Sequence, residues 1–286
     1  MMNILTTEQT LVSLSVIYLL TPVLVTAMIQ LPKKMIASYR NECIEFLEVE
    51  TEKTQPVKLF NFKSSRYKAN KKELSLLFYL PFISYIMAKT RLKPRQIKKA
   101  ETTLLAETII ISISITTLME YGLSITGLCQ LIFYISLVMA AFIDANSKLI
   151  PDTISLSTLW IGLLVSSNKI ITIDINSAIL GAFLGYTAPW IISKAVCYRA
   201  GKTDGMGYGD FKMLAMLGAW IGPMGLLNIT ILSSFLFLLY FGAMRAANKV
   251  TSETMIPFGP FLSIATYFIC QDKLFHFSSY ITSIPL

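Results

Sequence analysis

Residues 213 to 244 read MLAMLGAWIGPMGLLNITILSSFLFLLYFGAM, 32 positions without one charged side chain. As a single straight helix this run would be about 48 Å long at 1.5 Å per residue, well beyond a hydrocarbon core of about 30 Å. It is interrupted at Ile221-Gly-Pro-Met-Gly225, where glycine frees the backbone and proline removes a helix donor. The run predicts a helical hairpin with two short arms, buried in a membrane.

The rest of the chain repeats the pattern. Charge-free stretches cover residues 9–32, 121–143, 175–193 and 254–271. Residues 102–119 add another apart from Glu107, and 153–168 a short one between Asp152 and Lys169. With the two arms of the hairpin these make about eight transmembrane helices, an all-α polytopic membrane protein. The apolar stretch 74–88 is too short to span and contains Pro81, so it reads as an interfacial or re-entrant piece. Composition agrees: 54% of residues are apolar and 15% charged, and the mean hydropathy is +0.59, too apolar for an ordinary soluble chain of 286 residues. A disordered or nucleic-acid-binding chain would need the opposite balance.

The net charge of +8 is confined to one segment. Residues 32–102 hold sixteen of the 25 Lys and Arg and seven of the 17 acids, a local +9. That block is a large basic loop after the first span. The first run lacks a basic leader region and a small-residue cleavage site, so it reads as a retained anchor rather than a signal peptide. With an outside N-terminus, the loops at 32–102, 144–152, about 194–212 and about 245–253 face the cytoplasm, leaving only Lys169 and Lys273 outside. Cytoplasmic loops carry the excess of Lys and Arg in membrane proteins, so both termini are expected on the outer side and the basic loop against the anionic inner leaflet. The run Lys63 to Lys72 then reads as a solvated, lipid-facing part of that loop.

Ionisable side chains at membrane depth are costly and mark function. Asp144, in Ala141-Phe-Ile-Asp144-Ala-Asn, ends the third span; Asp210 ends Gly205-Met-Gly207-Tyr-Gly209-Asp210 at the start of the sixth. The topology delivers both to the cytoplasmic side at similar depth. Two neighbouring carboxyls share a proton, one activating water while the other protonates the carbonyl oxygen or the leaving amine. That is aspartic-protease chemistry. The plainer readings are a helix N-cap for Asp210 and a headgroup-facing span end for Asp144. Gly207 and Gly209 weigh toward function, because they allow positive φ and close backbone approach beside the acid, which suits an extended substrate. Asp152, between Pro151 and Thr153, reads as a helix cap. Lys212 reads as a snorkelling lysine or as a group that orients Asp210. Glu107, about one turn inside the second span, is a snorkelling acid or an auxiliary polar partner in the site.

Other chemistries find no support in the residues. Cys43, Cys129, Cys197 and Cys270 form no CxxC pair, so neither a disulfide framework nor a zinc ribbon is suggested. The single histidine, His276, lies on the outer side away from both acids and leaves a serine protease without a base. No HExxH metalloprotease motif occurs.

Three blocks then stand together: Ile143-Asp144 followed by Leu149-Ile-Pro-Asp152, Gly207-Tyr-Gly-Asp210-Phe-Lys-Met-Leu-Ala-Met-Leu-Gly-Ala-Trp220, and Ile256-Pro-Phe-Gly-Pro-Phe261. In order and spacing they resemble the type IV prepilin peptidases, aspartic proteases of the bacterial inner membrane with a GxGD motif. Met28-Ile-Gln-Leu-Pro32, and Leu80-Pro-Phe-Ile-Ser-Tyr85 with Glu107, resemble that family more weakly. The resemblance implies that Asp144 and Asp210 are the catalytic pair; from the residues themselves, Gly207, Gly209, Lys212 and Asp152 are expected to support the active-site loop. It implies a prepilin or pseudopilin as partner, its basic leader cut at the cytoplasmic face, in service of type IV pilus assembly or type II secretion. It also implies an anchor and methyltransferase-like region over residues 1–102 and a peptidase domain over 103–286. Many members methylate the new N-terminus with S-adenosylmethionine. Bifunctional members carry two CxxC pairs in the first loop, whereas residues 44–128 contain no cysteine here, so a thiolate zinc site cannot form there.

Two alternatives differ in what they require. An intramembrane protease of the presenilin or signal-peptide-peptidase kind would share only the GxGD tetrapeptide, not the Pro-Phe-Gly-Pro block. A proton-coupled transporter would need both acids near the midplane, facing a pathway.

Overall fold

A computed structural model describes residues 94–201, 207–249 and 256–271, together with single helical positions between 16 and 31. Most of the first-span reading, the basic loop with Lys63 to Lys72, the stretch 74–88 and His276 lie outside the described residues. Among the described residues the regular structure is six helices: α1 (Pro94–Tyr121), α2 (Ile125–Ser147), α3 (Asp152–Ser167), α4 (Ile175–Ala200), α5 (Tyr208–Ala246) and α6 (Gly259–Gln271). Four of them, α1, α2, α4 and α5, contain stretches long and apolar enough to cross a membrane. The helix α3, at 16 residues, and α6, at 13, are shorter than the other spans. The expected boundary between residues 102 and 103 falls inside α1.

Local chemistry sets the helix ends. Gly122, at φ 62°, closes α1 with its N–H on the Leu118 carbonyl. Ser124 then caps α2, its Oγ accepting from the Gly127 N–H at 3.0 Å. This three-residue turn makes α1 and α2 an antiparallel pair. It also moves α2 about four residues later than the charge-free run suggests, so that Asp144 lies within the last turn instead of after it. Along α1, Glu107, Ile110, Ser114 and Thr117 are all buried and recur at helical spacing, the stripe packed toward the bundle. At the far end of α2, the Thr126 hydroxyl donates to the Ile170 carbonyl at 3.2 Å, tying that end to the loop after α3.

The closest packing joins α4 to the first arm of α5. A Cβ on Gly181 would collide with the Gly218 carbonyl, one on Gly218 with the Gly181 carbonyl, and one on Gly185 with the Leu214 carbonyl. The two backbones touch. Between membrane helices there is no hydrophobic drive to associate, and small residues that allow such approach supply the van der Waals contact. Pairing runs from Ser177 beside Gly222 to Lys194 over the Tyr208 ring, so the helices are antiparallel.

At Gly222 the backbone leaves the helix, with φ 74° and ψ 178°. The second arm returns toward the end where the first began. Phe237 meets Phe258 and Phe261 at ring separations of 5.7 and 5.5 Å, Gly259 contacts Asp144, and the linker after Asp144 lies, at Ile150, against Gly209 beside Asp210. In a straight helix residues 210 and 237 would be about 40 Å apart. The hairpin expected from the Gly-Pro break is therefore the arrangement of α5. Its first arm threads the core: Met213, Met216 and Leu217 are fully buried, Trp220 stacks on Phe133 at 4.7 Å, and its Nε1 donates to the Thr158 carbonyl of α3 at 2.8 Å.

The backbone contact between α4 and α5 generates a test. Gly218→Ala should lower the thermal midpoint in detergent by an overpacking cost of about 1–3 kcal/mol. Gly242→Ala, where a Cβ meets nothing within 4 Å, should leave it unchanged. Equal midpoints would contradict the packing.

Candidate active site

Asp144 is presented by the final turn of α2. The helix ends at Lys148, in the left-handed conformation at φ 56°, whose N–H returns to the Asp144 carbonyl. Leu149-Ile-Pro151 then leads directly into α3. The Asp144 side chain is 4% exposed, and a buried carboxylate needs donors. One is the Gly259 N–H, which reaches Oδ2 at 2.8 Å. Gly259 is the first residue of α6, where backbone N–H groups have no partner within the helix and gather positive potential. A Cβ on Gly259 would stand 2.8 Å from Asp144 Oδ2 and 3.1 Å from its Cβ. Glycine is what lets the helix start meet the acid, and it explains why the run 254–271 becomes helical at Gly259.

Asp210 is the third residue of α5. Gly207 occupies the N-cap position at φ −65° and ψ 138°, and its carbonyl accepts from the Asp210 N–H at 3.1 Å. Asp210 is thus not itself the cap. The positive φ expected at Gly207 and Gly209 is absent: among the described residues the glycines with positive φ are Gly122, Gly201 and Gly222. What Gly209 supplies is thinness, whereas Gly207 leaves ordinary room. A Cβ on Gly207 would lie 3.4 Å from Asp210 Oδ2, and one on Gly209 would press on Ile150 Cβ at 3.1 Å. The start of α5 therefore sits directly on the linker that follows Asp144. That contact brings together the helix ends bearing Asp144 and Asp210, 66 residues apart in sequence.

Lys212 neither snorkels nor touches Asp210. Its Nζ donates to both carboxylate oxygens of Asp152 at 2.7 and 2.6 Å. Asp152 correspondingly is not the cap of α3, a place taken by Pro151. Both side chains are partly exposed, Lys212 at 27% and Asp152 at 44%. Glu107 does not snorkel either: it is 5% exposed, and its Oε2 has no hydrogen-bond partner among the described residues. Where Thr116 of α1 meets the Tyr267 hydroxyl of α6 at 3.3 Å, the two helices run in the same direction. Counting back along both brings Glu107 level with Phe258 and Gly259, within about one turn of the Asp144 depth. Sequence reasoning missed the roles of Gly259 and Ile150. The signal was a Gly-Pro pair opening an apolar run, a helix-start pattern whose free N–H could serve a distant acid.

Gly259→Ala should cost roughly 1–3 kcal/mol of stability by forcing the Asp144 carboxylate aside. Contacting sites are non-additive, so the penalty should shrink in an Asp144→Ala background. The same midpoint loss in both backgrounds would show that the two residues are not in contact.

Comparison with known proteins places this geometry. The model of the type IV leader peptidase family matches residues 131–242, which contain both acids and the α5 break. A protein named prepilin leader peptidase/N-methyltransferase from Xanthomonas campestris is 30% identical over 245 residues, 84% of this chain and 83% of the relative. One of the same name from Pseudomonas aeruginosa is 31% identical over 237 residues, 82% of this chain and 81% of its own. Another, from Pectobacterium carotovorum, is 35% identical over 147 residues, 51% of each chain. No solved structure matches. With the identity extending over four-fifths of full-length relatives, the chain belongs to the type IV leader peptidase family.

Proposed function

We propose that this membrane peptidase removes the leader of a prepilin or pseudopilin at the cytoplasmic face of the inner membrane, using Asp144 and Asp210 as a proton-sharing pair. What supports the mechanism is that the helix start bearing Asp210 packs, through Gly209 and Ile150, on the linker that follows Asp144, whose carboxylate is anchored by the Gly259 N–H. One carboxylate takes a proton from water as the hydroxide oxygen bonds to the scissile carbonyl carbon. The other donates its proton to the carbonyl oxygen. As the tetrahedral intermediate collapses, the protonated carboxyl gives its proton to the leaving amine, the C–N bond breaks, and a hydroxyl of the intermediate passes its proton to the other carboxylate, so the pair ends singly protonated as it began. Because the two acids titrate together, the roles belong to the pair. Both lie in end turns of their helices, Asp144 four residues from the end of α2 and Asp210 third in α5. A transporter would need them near the midplane.

The cytoplasmic placement is supported by the charge pattern of the whole chain, because the loop alternation that puts both acid-bearing helix ends inside leaves only Lys169 and Lys273 of the 25 Lys and Arg outside. The relatives' names add a methyltransferase activity. S-adenosylmethionine, when bound, supplies a methyl group for the new terminal amine. It carries an ammonium and ribose hydroxyls, and buried Glu107, whose Oε2 has no hydrogen-bond partner among the described residues, is an acceptor fitted to such groups. Glu107 is the residue of this chain proposed to hold it, without zinc.

Co-expression with a prepilin, with precursor and product read by intact mass, tests the mechanism. Asp144→Asn and Asp210→Asn should each slow leader loss by about 10²–10⁴-fold while the protein stays inserted. Processing at the normal rate in either variant would overturn the two-aspartate mechanism.

A further inference from the structure

The segments carrying the two acids are joined at two points. Ile150 lies against the bare backbone of Gly209. Asp152 receives Lys212 through both oxygens, at 2.6 and 2.7 Å. Between Asp144 and Asp152 there is little slack. The first four residues finish a helix, Lys148 turns the chain, and Pro151 at φ −66° opens the next helix, its carbonyl taking the N–H groups of Ile154 and Ser155. On the other segment, Lys212 follows Asp210 by two residues on one helix. Residues so spaced point to different sides, so the ammonium is directed at α3, away from the acids. Phe211, between them in sequence, is buried against Tyr186 and Tyr208, which fixes how this turn is rotated.

We propose that Asp152 and Lys212 are positioning residues whose ion pair, together with the Ile150–Gly209 contact, sets the separation of Asp144 and Asp210. This rests on those two acids being the catalytic pair. The ion pair is partly exposed, and such pairs add little to stability. A bidentate contact nonetheless defines one geometry, and a misplacement of about 1 Å can cost a reaction roughly 10²-fold. The mark of a positioning pair is a loss of turnover without a loss of fold.

The test is a double-mutant cycle on the full chain in detergent, with a prepilin substrate and with Asp210→Asn as reference. Asp152→Asn and Lys212→Gln should each lower kcat by about 10- to 100-fold, with KM within about twofold and the thermal midpoint within about 2 °C. The double variant should be no slower than either single one. Lys212→Arg, which can still reach both oxygens, should recover most of kcat. If Lys212 instead acted on the acids by its charge, Asp152→Asn would keep normal turnover, and that result overturns the proposal. Losses that multiply in the double variant overturn it too, as does a large drop in midpoint with normal kcat per folded enzyme. Activity in Asp210→Asn would instead sink the catalytic assignment itself, whereas an inactive Asp210→Asn beside a fully active Asp152→Asn removes only the positioning role.

Discussion

A carboxylate one turn inside the end of an apolar helix, almost wholly withdrawn from solvent, needs a donor, and this chain supplies the free N–H at the start of another helix. The Gly259 to Asp144 hydrogen bond of 2.8 Å fixes where α6 begins and what its first residue can be. It also decides what surrounds the acid. With Gly259 held there, Phe258 and Phe261 meet Phe237 on the returning arm of α5. The second arm thus closes around the same end of the bundle at which Asp210 enters.

The depth of Asp210 is set from the opposite end. Glycine-to-carbonyl contacts lock the first arm of α5 to α4, and the Trp220 indole is held by the Thr158 carbonyl and the Phe133 ring. These contacts permit no sliding by a turn, because each matches a bare glycine to one carbonyl or an N–H to one acceptor. Packing in the core therefore decides the position of a polar group at the membrane boundary. Gly222, the one residue of α5 outside helical geometry, lets a single apolar run supply both the acid-bearing arm and the arm that closes the bundle.

Much of this was legible in the sequence. The charge-free runs gave the helical class, Gly222-Pro223 gave the reversal, and the alternation of loops put Asp144 and Asp210 at one end. The rest depended on contacts between distant segments. The pairing of Lys212 with Asp152 spans 60 residues, and no local pattern separates a paired lysine from a snorkelling one. Gly207 and Gly209 were recognisable as positions of positive φ or of close backbone approach, and only the second holds. The missing Cβ of Gly209 matters against Ile150, and a neighbour from another segment cannot be read from GxGD itself. For Glu107 the sequence left both a snorkelling acid and an auxiliary polar partner open; the helical stripe it shares with Ile110, Ser114 and Thr117 buries it, against the first of these.

The adjacency of the two acids is the central claim, and a bridging reaction measures it most directly. Asp144→Cys and Asp210→Cys would be introduced together into a chain whose four native cysteines are replaced, and the inserted protein treated with a short bifunctional thiol reagent. Intact mass distinguishes one reagent joined at both ends from two reagents each joined at one. A single bridging adduct is the predicted result. Two separate adducts, in protein shown to be folded and inserted, would contradict the site.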